Sequence, residues 1–326
     1  MSRCDSESFI VRKSFSTAED IHVGSWDFSY EQISKGHFRA DVVGLQLGSS
    51  ALLVMESGNQ SVYTNGTLSD NKFGLSILPD SAGGSTVCGK SITGGRVAVF
   101  QGGSSYEIYS NSPLNIFTIT LDLNDSRFEF LSGVRFASNG ALKRATVICP
   151  SSCLYSKILQ FSKLYLYGLG AVEEKDARCA LVAAELNDFL IFDLLSDLES
   201  ATGATLCESK GSSSAWVLKE VRELLLSNEY EGLSLTDICE KLRISSRTLR
   251  KNIYESLGMG PLVFSRYIRL NAVRRDIVRR CEKRLDFRIS DVAERRGFWH
   301  LARFSSHYRE LFGELPSETV RALRRP

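Results

Sequence analysis

No stretch of the 326 residues approaches the roughly 18 consecutive apolar residues that a membrane-spanning helix needs. The first residues also lack the basic-then-apolar pattern of a secretory leader, so a cytoplasmic protein with no membrane partner is expected. Histidine is scarce. His22, His37, His300 and His307 are scattered and form no metal-ligand cluster, so no metal is expected. The eight cysteines contain no C-x-x-C pair, and several fall inside apolar helical patterns. That usage fits reduced thiols. Cys149 and Cys153 are close enough in sequence for a redox or metal pair but have no second pair to complete a site. There is no P-loop, no G-x-G-x-x-G and no Ser/His/Asp set, so no cofactor and no catalytic residue is assigned, and an enzyme is not expected.

Charge is present in both signs but unevenly placed. The whole chain carries only +2. From Ser214 onward there are 23 Lys and Arg against 15 Asp and Glu, a net +8, which leaves the first 213 residues at −6. A basic segment behind an acidic one is the footprint of a polyanion binder joined to something else. The length also suits two domains.

The front half, about residues 20–148, reads as β-rich. The clearest strand runs from Asn115 to Asn124, where Phe117, Ile119, Leu121 and Leu123 alternate with polar residues. Period two predicts one buried and one wetter face. Further strands are expected at 40–47, 51–56, 61–64, 74–78, 96–100 and 106–109, punctuated by Gly-Asn and Gly-Gly turn signals. Short strands at this spacing suggest a small barrel or sandwich. Such an interior can hold one small ligand, and Trp26, Tyr63, Phe100 and Tyr106 are candidates to line it. Two helical patterns follow at about 150–200, able to pack on the barrel or on a second copy of the chain, so a homodimer is left open. Residues 206–214, within a Gly/Ser/Thr-rich run, read as a linker closing a domain of residues 1–205.

The back half, residues 215–322, reads as all-helical. Ser234 with Asp237 three residues on has the form of a capping box. Ile238, Cys239 and Leu242 form the buried face of the helix it opens. Ser245 is placed to cap the next helix, with Leu249, Ile253 and Leu257 inward and Arg247, Arg250 and Lys251 outward. The same grammar returns roughly fifty residues later. Ile289, Val292 and Ala293 match Leu235, Ile238 and Cys239; Phe304 matches Leu249; Gly313 matches Gly258. Even Gly258-Met259-Gly260-Pro261 is answered by Gly313-Glu314-Leu315-Pro316. Two helix-turn-helix patterns, about 235–256 and about 288–311, are therefore expected in tandem. A long helix from Pro261 to about Arg279 would join them, its arginines (Arg266, Arg269, Arg274, Arg275, Arg279, Arg280) being candidates for phosphate contact, with at least half solvated or paired with Asp276 and Glu282.

Ile244-Ser245-Ser246-Arg247-Thr248-Leu249-Arg250 and the run from Gly297-Phe298 to Pro316-Ser317 resemble the two motifs of the AraC/XylS family of bacterial transcription regulators. The resemblance covers about residues 216–321. It implies an α+β protein of two domains: a cupin-like barrel with following helices, then an all-α domain of two helix-turn-helix motifs. It further implies a sequence-specific regulator, an activator of a catabolic operon responding to a small-molecule effector, with double-stranded DNA and RNA polymerase as partners. A repressor, and a front half that only dimerises, stay open. The residues carried over as DNA contacts are Ser246, Arg247, Arg250 and Lys251 in the first reading helix, and His300, Leu301, Arg303, Ser305, Ser306 and Arg309 in the second. Cys239 stands where the family usually has Ala, and Trp299-His300-Leu301-Ala302 is bulkier than usual, so an operator sequence does not transfer.

Overall fold

The computed structural model describes residues 9–128, with short breaks at 19–20, 22–23, 48–50, 79–84, 93–94, 111–112 and 127, then 146–148, 155–162 without 161, and 213–324 without 228–232. The Cys149/Cys153 pair, His22 and most of the expected 150–200 helices lie outside the described residues.

Twelve strands make two antiparallel sheets: β1 (Phe9–Phe15), β2 (Trp26–Gln32), β3 (Ala40–Leu47), β4 (Ala51–Gly58), β5 (Val62–Leu68), β6 (Lys72–Ile77), β7 (Thr86–Val87), β8 (Lys90–Ser91), β9 (Val97–Gln101), β10 (Ser105–Tyr109), β11 (Asn115–Asp122) and β12 (Thr146–Ile148). The larger sheet has the order β1-β3-β4-β11-β6-β9-β12, the smaller β2-β5-β10-β7-β8. They face each other across a core that draws Trp26, Tyr30 and Tyr106 from one sheet and Val54, Phe100 and Ile116 from the other. Every residue from Ile116 to Leu121 is buried, so the expected wetter face of this strand does not exist. β11 sits mid-sheet between β4 and β6, and its polar residues point inward. Thr120 Oγ1 accepts from Trp26 Nε1 across the sheets at 2.8 Å, and Thr118 bonds Ser76 on the neighbouring strand at 2.9 Å. These hydroxyls satisfy the polar atoms that burial would otherwise leave costly.

Trp26 can approach the opposite sheet only because residue 74 has no side chain. A Cβ there would lie 2.7 Å from Trp26 Cζ2. Phe100 and Tyr106 complete an edge-to-face trio with Trp26, with ring centroids 5.0, 5.2 and 5.3 Å apart.

Among described residues 213–324 seven helices follow: α1 (Ser213–Leu226), α2 (Leu235–Leu242), α3 (Ser246–Leu257), α4 (Pro261–Glu282), α5 (Ile289–Arg295), α6 (Leu301–Phe312) and α7 (Pro316–Leu323). They share one apolar core around α4, from which Phe264, Ile268, Leu270, Val273 and Ile277 are fully buried. That core continues into the smaller sheet through Ile33, Tyr63 and Tyr109.

The strand alternation of β2 explains this joint. Trp26, Phe28 and Tyr30 point into the sandwich, so Asp27, Ser29 and Glu31 point out toward the helices. The Glu31 carboxylate is fully buried and takes Nε and Nη2 of Arg222 on α1 at 2.9 and 2.6 Å and Nη1 of Arg275 on α4 at 3.2 Å. Gln32 ends the strand in a two-way exchange with Asn271 of α4: its N–H donates to Asn271 Oδ1 at 2.9 Å and its carbonyl accepts from Nδ2 at 3.0 Å. The loop beyond reaches α6, where the Leu311 carbonyl accepts from Gly36 N at 3.0 Å and Gln32 Nε2 at 2.8 Å. These bonds satisfy a helix C-terminal carbonyl that α6 itself cannot.

Gly74→Ala is expected to drive Trp26 from its seat, lowering stability by about 1–3 kcal/mol as overpacked cores do. Urea unfolding followed by tryptophan fluorescence checks it; an unchanged midpoint and native spectrum would contradict the packing described.

Candidate nucleic-acid interface and ligand cavity

The two helix-turn-helix units are built by the same local chemistry. In the first, Ser234 and Asp237 close a capping box, with the Ser hydroxyl accepting from Asp237 N at 3.2 Å and Asp237 Oδ2 accepting from Ser234 N at 2.7 Å. Those bonds hold the Asp237 carboxyl below the usual carboxylate range. Arg243 then turns left-handed (φ 53°) and lets Ile244 N reach back to Cys239 O at 3.0 Å. In the second unit Gly297 (φ 80°) makes the same turn and Phe298 N reaches Ala293 O at 3.1 Å. Each reading helix ends on a left-handed glycine, Gly258 after α3 and Gly313 after α6, and each is followed by a helix with proline in its first turn.

The units differ at their entrances. Ser245 caps α3, its hydroxyl accepting from Thr248 N at 3.0 Å, whereas His300 gives α6 no side-chain cap. The N-terminal N–H groups of α6 are thus left without that side-chain acceptor, a feature suited to an anion such as a phosphate.

The structure leaves the candidate contact residues at the surface. Ser246, Arg247, Arg250 and Lys251 are all exposed on α3, while Leu249 and Ile253 are buried beneath them. His300, Leu301, Arg303, Ser306 and Arg309 are exposed on or beside α6, and Ser305 is half-buried. Lys251 lies 3.9 Å from Glu255 one turn on, so part of its charge is offset locally. Burial and the positive Arg266 and Arg303 lower the His307 pKa, which favours a neutral ring there. Two exposed rings were not among the candidates: Trp299, 66% exposed just before α6, and Tyr254, 63% exposed on α3. The signal for Trp299 was available, a large aromatic directly before a helix start.

The long connector corrects the expectation for its arginines. α4 has 22 residues, about 33 Å. Arg274 is buried over the Phe312 ring, 4.7 Å from its centroid, and pairs with Glu314 at 2.8 Å. Arg275 holds Glu31, and Arg269 donates to the Leu233 carbonyl at 2.5 Å. Asp276 is paired from outside the helix, by Arg296 at 2.8 Å. Arg269, Arg274 and Arg275, half of the set, fasten neighbouring elements together. Arg279 is the exposed arginine of the set.

The front half contains a cavity between the sheets with about 30 Å³ of water-accessible space, room for roughly two waters. Trp26, Phe100 and Tyr106 line it. Tyr63 does not; it is out of phase with its neighbour Thr64, which does, and stands instead against Phe264 of α4 at 6.5 Å. The unforeseen member is Glu56 of β4, buried and bonded by the Tyr30 hydroxyl. Burial pushes its carboxyl up to about 7, with the Tyr30 bond pulling the other way. A second, more open cleft of about 360 Å³ lies between the smaller sheet and α1, edged by Asp27, Glu107, Trp216 and Lys219.

Among the described residues no group of His, Cys, Asp or Glu is arranged for a metal, and no helix is long and apolar enough to cross a membrane. The helix-turn-helix domain family matches residues 238–322. The two units together make the C-terminal region a tandem helix-turn-helix arrangement. The chain is 27% identical over 143 residues to a probable thc operon regulatory protein of Rhodococcus erythropolis, covering 44% of this chain and 42% of the relative. It is 30% identical over 118 residues to a XylDLEGF operon transcriptional activator of Pseudomonas putida, covering 36% and 35%. The chain thus spans less than half the length of both relatives. Among solved structures, ToxT from Vibrio cholerae aligns over 92% of this chain and 98% of its own at 14% identity, with a TM-score of 0.31, too loose a superposition to carry further weight.

The α3 face carries the denser charge. Arg250→Ala is therefore expected to weaken DNA binding by about 1–3 kcal/mol, and more than Arg303→Ala does. Dissociation constants from fluorescence anisotropy rank the two; the reverse order would contradict it.

Proposed function

We propose that this protein is an effector-responsive regulator that reads promoter DNA with two helix-turn-helix units and activates transcription of a catabolic operon. The observation that carries this reading is the repeated left-handed turn with its back-bond, at Arg243 and again at Gly297, each presenting an exposed basic helix. Matching one unit to a major groove is ordinary for this motif. A connector of about 33 Å is close to the ~34 Å turn of B-DNA, so the second unit can meet the next groove on the same side of the duplex.

In this proposal residues 215–322 read DNA, residues 206–214 link, and residues 1–205 sense the effector. Arg247 and Arg250 are suited to guanine edges, and Ser246, Ser305 and Ser306 to phosphates or base edges. Leu301 suits a thymine methyl. Lys251, His300, Arg303 and Arg309 supply charge along the backbone. RNA polymerase is the partner an activator requires, and a second copy of the chain is the partner a paired operator site requires. The likeness to operon activators supports the activator reading.

The wiring between halves is part of the proposal. β2 carries Tyr30 on its cavity side and Glu31 on its helix side, so a change in the cavity is one residue from the ion pairs that hold α1 and α4. The next residue, Gln32, bonds the end of α6.

Gel shifts with the full chain on DNA from its own promoter region, at two salt concentrations, test this. Preference over competitor DNA is expected, with affinity falling steeply as salt rises. No preference over competitor DNA would overturn it.

A further inference from the structure

We propose that the cavity between the two sheets binds a small organic cation, an ammonium or amidinium group held by the Glu56 carboxylate and the faces of the surrounding aromatic rings. The proposal rests on the effector-sensing reading above and names the chemical class of the effector.

Among the described residues the cavity wall holds one carboxylic acid and no basic side chain. Glu56 is 7% exposed, and the Tyr30 hydroxyl is the group bonded to it among the described residues. Among the described residues no Lys, Arg or His lines the space. A carboxylate buried without a cation is costly, and proteins ordinarily supply a partner or neutralise the group. Elsewhere this chain does supply one: Glu31, buried more deeply still, receives two arginines. The contrast between two buried glutamates on neighbouring faces of one sandwich assigns Glu56 a partner that comes from outside the chain.

The rest of the wall fits that partner. Trp26, Phe100 and Tyr106 all line the space and stand edge to face with one another. The faces of such rings attract cations, most strongly where water is excluded. The hydroxyls of Thr64, Ser76 and Thr118 also line the space and can accept from N–H groups. An anionic effector would meet a carboxylate and no positive group. The water-accessible space of about 30 Å³ matches a head group of methylammonium size.

Protonation follows directly. Tyr30 and Tyr106 are the other titratable groups on the wall, and burial holds both well above the ordinary phenol value, so both stay neutral. Glu56 is the group that titrates near neutrality. A cation binds the ionised carboxylate, so affinity is lost as pH falls through about 7.

The test uses the full chain with methylammonium and ethylammonium chloride, against sodium chloride, ethanol and sodium acetate as controls. Binding is read by calorimetry and by the rise in melting temperature that a native-state ligand causes. The two ammonium ions are expected to bind saturably and the controls not. Affinity is expected to drop about tenfold between about pH 8 and about pH 6, and at least about tenfold in Glu56→Gln. Absence of binding by both ammonium ions overturns the proposal, as does equal binding to Glu56→Gln. Should that variant not fold, the wild-type contrast between ethylammonium and ethanol decides: equal binding by the two overturns it. Loss of binding in Trp216→Ala with Glu56→Gln unaffected would place the cation in the open cleft by α1, and also overturns it. Operator affinity measured with and without methylammonium separates the two readings. Glu56-dependent binding that leaves operator affinity unchanged upholds the cation site and removes the sensing role. An acetate-responsive operator affinity keeps the sensing role and overturns the cation.

Discussion

The Glu31 carboxylate is the point on which the arrangement of this molecule depends. It is fully buried, it is shared by Arg222 and Arg275, and it sits where a sheet meets two helices. An ion removed from water in this way is tolerated only when its partners are in place. Arg222 is itself buried and also donates to Ser29 at 3.0 Å, while Glu31 keeps its guanidinium charged against the opposing effect of burial. The smaller sheet is thereby fixed in orientation on α1 and α4. Tyr63, Tyr109 and Ile33 then add apolar contact that specifies less but excludes water.

From that joint, one strand serves both halves. β2 turns rings and a phenol inward and acids outward, and its last residue bonds both the long connector and the end of the second reading helix. Gly313 belongs to the same fit, since a Cβ there would lie 2.9 Å from the His37 ring. Its left-handed backbone already favours glycine. The helix terminator and the interdomain contact therefore impose the same residue.

The tandem helical units were legible in the sequence because their determinants are local. Ser234 with Asp237, Ser245, Gly258 and Gly313 act within a few residues of themselves, and the structure shows each in the expected role. Strand positions were legible for the same reason. The inside of the sandwich was less so. Alternation in β11 separates two faces, but with both faces covered it does not tell which is interior, and the threonines proved to be the inner set. Tyr63 was misplaced by one residue of phase. Glu56 gave no signal, because its environment is assembled from strands far apart in sequence. The arginines of α4 look alike in sequence, yet Arg275 is claimed by Glu31, 244 residues away, and Arg269 and Arg274 by partners outside the helix.

The central claim is that the smaller sheet and the C-terminal helices form one folded unit locked by Glu31. A double-mutant cycle of Glu31→Gln and Arg222→Met, read by equilibrium urea unfolding, tests it most directly. The account predicts a coupling energy of about 2 kcal/mol or more between the two positions. Effects that add within about 0.5 kcal/mol would show that the two side chains do not hold the halves together, and would contradict it.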